Sequence, residues 1–204
     1  SDNTAADTLM QDIDKARGPL VVSEIMQKLG LKNTFLAGYF FAGAPVLEIF
    51  TTPANSRPDI NTNPDIYNQT TPADMGMLLE DIYQCAQTGG GALVAAFPGQ
   101  IDQAACQQII EYLKQDKVGA LLQTGVPEGT VVAHKHGWIV DVVDGKMHNV
   151  CDAAIFYTPG GNYILTVYTF HPVQIIWGDS HSGVNHMYAD LAQAVYNYFN
   201  LPTQ

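Results

Sequence analysis

The segment Val131-Val132-Ala133-His134-Lys135-His136-Gly137-Trp138 sets one ammonium group between two imidazoles. Its β-branched start reads as a strand that delivers Lys135 and stops at Gly137, where the missing Cβ lets backbone approach a ligand closely. The chain opens on Ser1-Asp2-Asn3, directly ahead of a helical pattern, so a hydroxyl stands at a helix mouth. A serine hydroxyl and a strand-end lysine are two parts of a catalytic constellation whose third part is Ser-x-x-Lys. That third part is absent, because none of Ser1, Ser23, Ser56, Ser180 and Ser182 has a lysine three residues on.

Other chemistries compete for the same residues. His134 and His136 stand at i and i+2 and share one strand face, while Lys135 points to the opposite one. All three line a single cleft only across a twist or bulge. A zinc site needs three or four converging ligands, and the spacing of the six histidines gives no sign of convergence. The imidazoles are therefore expected to fill polar positions near a cleft, with no metal and no other cofactor. Asp179-Ser180-His181-Ser182 has the residue types of a hydrolase triad, but adjacency does not make a triad. A helix entry capped by Ser182 explains it.

The formal net charge is -11, with nine Lys+Arg and no basic run. Nucleic acid is excluded as a partner, since neutralising phosphates needs clustered Lys and Arg. At 204 residues, 47% hydrophobic and 14% charged, the chain fits one large globular domain. Its longest apolar runs, around Val150–Ala154 and Ile164–Phe170, are too short and too interrupted to span a membrane. Cys85, Cys106 and Cys151 match no zinc or redox motif. They are expected to be buried small hydrophobes, the alternative being one disulfide and one free thiol.

The positioning elements follow from periodicity. Asp2-Asn3-Thr4 offers N-cap chemistry for a helix reaching Gly18-Pro19, and Ser23 for a shorter one closed by Gly30. From Leu31 to Gln69 no period holds, and a loop of that length is typically functional or mobile. Thr71, Pro72 and Asp74 restore order as N-cap, first helical residue and dipole-favoured acid. Gly89-Gly90-Gly91 breaks that helix; another begins near Ile101-Asp102, and a short one covers residues 118–122. After Val126-Pro127-Glu128-Gly129 the period changes to two. Strands are expected at Val131–His136, Trp138–Val143, Val150–Thr158 and Tyr163–Phe170, with a type I′ turn at Asp144-Gly145. Val184, Met187, Tyr188, Leu191, Ala192, Val195, Tyr196 and Phe199 then mark a final helix whose apolar face crosses the sheet. The order is α+β: residues 1–125 form a helical lobe with the long loop 31–69, and 126–204 a sheet with its closing helix.

In sequence order, Ser1-Asp2-Asn3-Thr4-Ala5-Ala6, Thr70-Thr71-Pro72-Ala73-Asp74-Met75, Val132-Ala133-His134-Lys135-His136-Gly137 and Asp152-Ala153-Ala154-Ile155-Phe156-Tyr157-Thr158 resemble the class A serine β-lactamase and penicillin-binding family from its S-D-N motif onward. The resemblance implies an antiparallel sheet under a C-terminal helix, beside a helical lobe. It also implies that two N-terminal strands and the helix bearing the S-x-x-K nucleophile are missing. By similarity Ser1 relays a proton to the leaving nitrogen and Lys135 holds Ser1 and the substrate carboxylate. Asn3, His136 and Gly137 contribute to substrate binding, and the backbone N–H of Trp138 is an oxyanion donor.

Three departures qualify this. His136 replaces the usual Thr or Ser of K-T-G and titrates near neutrality. Pro58-Asp59-Ile60-Asn61 resembles the family's P-E-L-N segment, yet the residue before the proline, the family's deacylating Glu, is Arg57. In the register through Asn63-Pro64-Asp65-Ile66-Tyr67-Asn68 it is Asn63, which leaves Glu48, Asp59 or Asp65 as substitutes. Neither Arg17 nor Arg57 falls on the sheet, so Lys146 is the nearest replacement for a carboxylate-binding arginine. The expected function is a serine hydrolase acting through an acyl-enzyme on β-lactams or D-Ala-D-Ala-like peptides, present as a fragment without its nucleophile. The alternative is a non-hydrolysing penicillin-binding module of the same fold. Either would be extracytoplasmic and completed by the missing N-terminal segment or by another copy of the chain.

Overall fold

The computed structural model describes residues 2–59, 67–116, 121–141, 143–179 and 181–201. They are α+β, with small antiparallel sheets among helices, and fall into two compact units, 1–77 and 78–204. The sequence's change of period, after residue 125, lies inside the second unit.

In the first unit, Asp2 caps helix α1 (Asn3–Ile13) by accepting from Ala5 N at 3.0 Å. The helix ends before Gly18-Pro19, because Asp14 takes the backbone N–H groups of Ala16 and Arg17 and turns the chain. Gly18-Pro19 instead opens α2 (Gly18–Lys28), where the fixed φ of proline suits a first turn. Ser23 is thus not a cap. It is buried inside α2, where its hydroxyl accepts from Leu36 N at 2.7 Å.

The excursion 31–69 is irregular over most of its described length, but β1 (Phe35–Leu36) pairs with β2 (Asn68–Gln69) across its base. Buried carboxylates supply the rest of its order. Asp7 accepts from Phe40 N at 2.8 Å, and Asp74 accepts from Asn33 N and the Thr34 hydroxyl at 2.8 and 2.9 Å. A loop without periodicity is therefore held by polar anchors in helices, which satisfy backbone groups no ladder reaches. Thr71 caps α3 (Pro72–Thr88) as expected, accepting from Asp74 N at 3.2 Å.

In the second unit, a disulfide joins Cys85 to Cys106, linking α3 to α5 (Gln103–Leu113), and Cys151 is free. The cysteines are thus not three buried thiols. Asp102 caps α5 through Ala105 N, as its position suggested. A short helix α4 (Ala92–Ala96) follows the triple glycine. The helix expected over 118–122 falls largely outside the described residues, and a 3-10 turn occupies Leu122–Gly125.

The sheet runs β3-β4-β5 (Val131–Val140, Met147–Tyr157, Tyr163–Phe170), antiparallel throughout. Two expectations fail here. One strand passes straight through Gly137, where two strands were expected. The glycine sits in a crowded place, since a Cβ there would stand 3.0 Å from Cys151 Sγ across the β3–β4 ladder. Nor is Asp144-Gly145 a two-residue hairpin. Val140 pairs with Met147, and Asp141 N donates to Lys146 O at 2.8 Å across a longer connection.

Helix α6 (Gly183–Asn200) buries Val184, Tyr188 and Ala192 against Val132, Val150, Ala154 and Phe156 of β3 and β4. The Tyr188 hydroxyl donates to Val150 O at 2.8 Å. Ser182 occupies the N-cap position, but its hydroxyl donates to Asp179 Oδ1 and not into the helix. Ser182 thus stands at the helix entry as expected, but without the side-chain cap that was expected of it.

Candidate functional site

The strand β3 places its side chains as alternation dictates. Val132, His134 and His136 face inward and are buried, while the Lys135 side chain is 44% exposed. The lysine nevertheless curls back. Its Nζ donates to His136 O at 2.5 Å and stands 3.8 Å from Asp116 Oδ2. Asp116 follows the end of α5.

Beneath Lys135 lies a buried polar cluster that needs tertiary structure to exist. Asp152 of β4 is fully buried and sits opposite His136 in the ladder. It accepts from Leu122 N at 3.0 Å and lies 3.0 Å from His134 Nδ1. A carboxylate without solvent requires such partners. His136 Nδ1 lies 2.7 Å from Asp116 Oδ2.

The two imidazoles are tuned in opposite directions. Burial pulls His134 down, but the Asp152 hydrogen bond and charge, with that of Asp116, outweigh it and raise its pKa. Burial and the neighbouring Lys135 charge lower His136 against the opposing pull of Asp116 and Asp152. An imidazole beside Lys135 thus favours its neutral form, which relieves repulsion between two cations on one strand.

Trp138 continues the same face at the site's rim. Its ring stacks on His136 at 4.9 Å between centroids and meets Trp177 edge-on at 5.1 Å. By alternation Lys135 and Gly137 lie on one face of the strand and the Trp138 ring on the other, so the ammonium stands beside a glycine and the aromatic ring closes the buried side.

Of the residues read from the sequence, Lys135, His136, Gly137 and Trp138 come together on β3. Asn3 lies in α1 of the first unit, and Ser1 is outside the described residues. Lys146 belongs to the β3–β4 connection, where Nζ stands 3.9 Å from Asp144. Arg57 pairs with Asp59, both side chains exposed. Asn63 and Asp65 are outside the described residues, and Glu48 is exposed.

Sequence reasoning missed Asp116 and overlooked the role of Asp152. Asp152 did carry a signal: it alternates with Val150, Ala154 and Phe156, so it had to face the core and find a partner. Asp116 carried none.

The antiparallel sheet with its C-terminal helix is the arrangement that the resemblance implied. The chain belongs to the Beta-lactamase enzyme family, whose profile matches residues 1–199. A search of curated proteins gives no match. Among solved structures the chain is similar to PBP-A in a penicillin G acyl-enzyme complex, at 19% identity and TM-score 0.54, covering 87% of this chain and 50% of that one. It is similar to the TLA-3 extended-spectrum β-lactamase at 22% identity and TM-score 0.64, covering 97% and 59%. A β-lactamase from Sphaerobacter thermophilus matches at 18% identity and TM-score 0.62, covering 100% and 60%. At these identities the likeness is one of fold. The chain spans about half to three fifths of the length of these structures.

Proposed function

We propose that this chain carries the Lys-x-Gly side of a penicillin-type acyl-transfer cleft, with Ser1 as proton relay and Lys135 as electrostatic anchor for a substrate carboxylate. Asn3, Gly137 and Trp138 are assigned to substrate contact, and the buried His136, read from the sequence as a further contact, backs the strand that carries them. The observation that carries this is the half-exposed Lys135 ammonium on the edge strand, beside a buried polar cluster that holds His136 and Asp116 in place. The nucleophile is assigned to a Ser-x-x-Lys helix outside these 204 residues. That segment, or a second copy, would cover Met187, Leu191 and Phe199, which α6 leaves 39–44% exposed. The Cys85–Cys106 disulfide favours an oxidising, extracytoplasmic setting.

A specific observation favours a non-hydrolysing member as the second reading. Arg57 in one register, and Asn63 in the other, falls where the family's deacylating Glu is expected, and Asp59 is engaged by Arg57. A general base must reach the hydrolytic water. Incubating the complete gene product with a chromogenic penicillin and following both colour and protein mass separates the readings. Sustained turnover supports the hydrolase, a persistent adduct the penicillin-binding protein, and the absence of both contradicts the penicillin-type reading.

A further inference from the structure

We infer that Asp116, His134 and His136 form a binding site for a divalent transition metal of the zinc class, buried behind β3. Each offers one ligand atom, and the three lie within 4.8 Å of one another. The His134 and His136 side chains are 1% and 3% exposed, and that of Asp116 is 7% exposed.

Two further observations point to a ligand. His134 Nε2 is buried and has no hydrogen-bond partner among the described residues, a costly state for a polar atom in a core. His134 Nδ1 meanwhile lies 3.0 Å from the fully buried Asp152 carboxylate. A proton held at Nδ1 by a carboxylate leaves the Nε2 lone pair free and fixes the ring, which is the outer-shell arrangement that orients metal-binding histidines. Secondly, His136 Nδ1 lies 2.7 Å from Asp116 Oδ2, which brings a second imidazole and a carboxylate to the same buried place.

The donor set of two imidazoles and one carboxylate suits zinc, cobalt or nickel and not magnesium or calcium, which prefer oxygen. Zinc holds such ligands at about 2.0–2.2 Å, so tetrahedral ligand atoms stand roughly 3.3 Å apart. The His136–Asp116 separation of 2.7 Å must open slightly, and the three ligand atoms, all within 4.8 Å of one another, must draw onto one centre. Lys135 Nζ, 3.8 Å from the same Asp116 oxygen, would be displaced toward solvent, where its side chain is already 44% exposed. Three protein ligands leave one position for water. The site stands on this cluster alone and does not depend on the reading of the cleft.

A second acidic and imidazole group, Asp141 and Asp144 of the β3–β4 connection with His148 at the start of β4, offers three ligand atoms as well. There His148 is already engaged, its Nε2 3.1 Å from Asp144 Oδ2 and its Nδ1 2.8 Å from His171 O. It serves as the internal control.

The test is titration of chelator-treated protein with cobalt(II), followed by its visible absorption, and with zinc(II) by calorimetry. The expected result is one equivalent bound at micromolar affinity or tighter, with the intense absorption of four-coordinate cobalt. Asp116→Asn and His134→Gln should each weaken binding at least about 100-fold, and His148→Gln should leave it unchanged. Asp116→Asn keeps the test decisive should the more deeply buried His134→Gln not fold. The absence of stoichiometric binding, or binding that survives Asp116→Asn or is lost in His148→Gln, would overturn the site.

Discussion

Burial, and then the nearby Asp152 charge, push the Cys151 thiol up to about 11. Since the thiolate is the reacting species, alkylation of native protein by iodoacetamide at pH 8 should run roughly 100-fold slower than for an unshifted thiol, and accelerate toward pH 11. Because the folded thiol keeps its proton to higher pH than the unfolded one, stability from this group should fall as pH rises from about 9 to 11. A thiol that reacts at the free rate at pH 8, in protein shown to be folded, would contradict this packing. The same residue crowds Gly137, whose absent Cβ leaves room for Cys151 Sγ. Lys135, His136 and Gly137 were legible because their motif is local. The crowding at Gly137 was not, since it comes from the partner strand. Asp116 was wholly illegible, being brought to β3 only by the chain beyond α5.

Two tethers act between elements. The Tyr188 hydroxyl donates to Val150 O at 2.8 Å and also lies 3.1 Å from Val167 O, tying α6 to β4 and β5. Tyr188→Phe should cost about 1–3 kcal/mol in denaturant unfolding, because the buried carbonyls lose a donor while the ring still fills its place. The Cys85–Cys106 bond closes a loop with a sequence separation of 21. Reducing it, or Cys85→Ala with Cys106→Ala, should cost about 3 kcal/mol by loop entropy, and an unchanged midpoint under reductant would contradict the pairing. Helix α6 and the strands were readable from period 3.6 and period 2, since each buries one face. Helix ends were less so. Pro19 serves a beginning as readily as it follows an end, and only the side chain of Asp14 decides which. The order within 31–59 escaped because Asp7, Ser23 and Asp74 hold it from helices distant in sequence.

For the molecule as a whole, membership of the Beta-lactamase enzyme family over residues 1–199 agrees with the order of motifs and with the α+β fold. A net charge of -11 leaves the Lys135 ammonium as a local exception on an acidic chain, which suits an anionic small ligand over a polyanion. Among the described residues no helix is long and apolar enough to cross a membrane. The account turns on Lys135 acting at a penicillin's carboxylate, and its exposure means Lys135→Ala should fold normally. The direct measurement is the second-order rate at which a fluorescent penicillin becomes covalently attached to the complete gene product, wild type against Lys135→Ala. The account predicts attachment slowed about 100- to 1000-fold by the substitution, the range for losing one fixed electrostatic group at a reacting centre. Attachment at an undiminished rate, or none to the wild type, would contradict it.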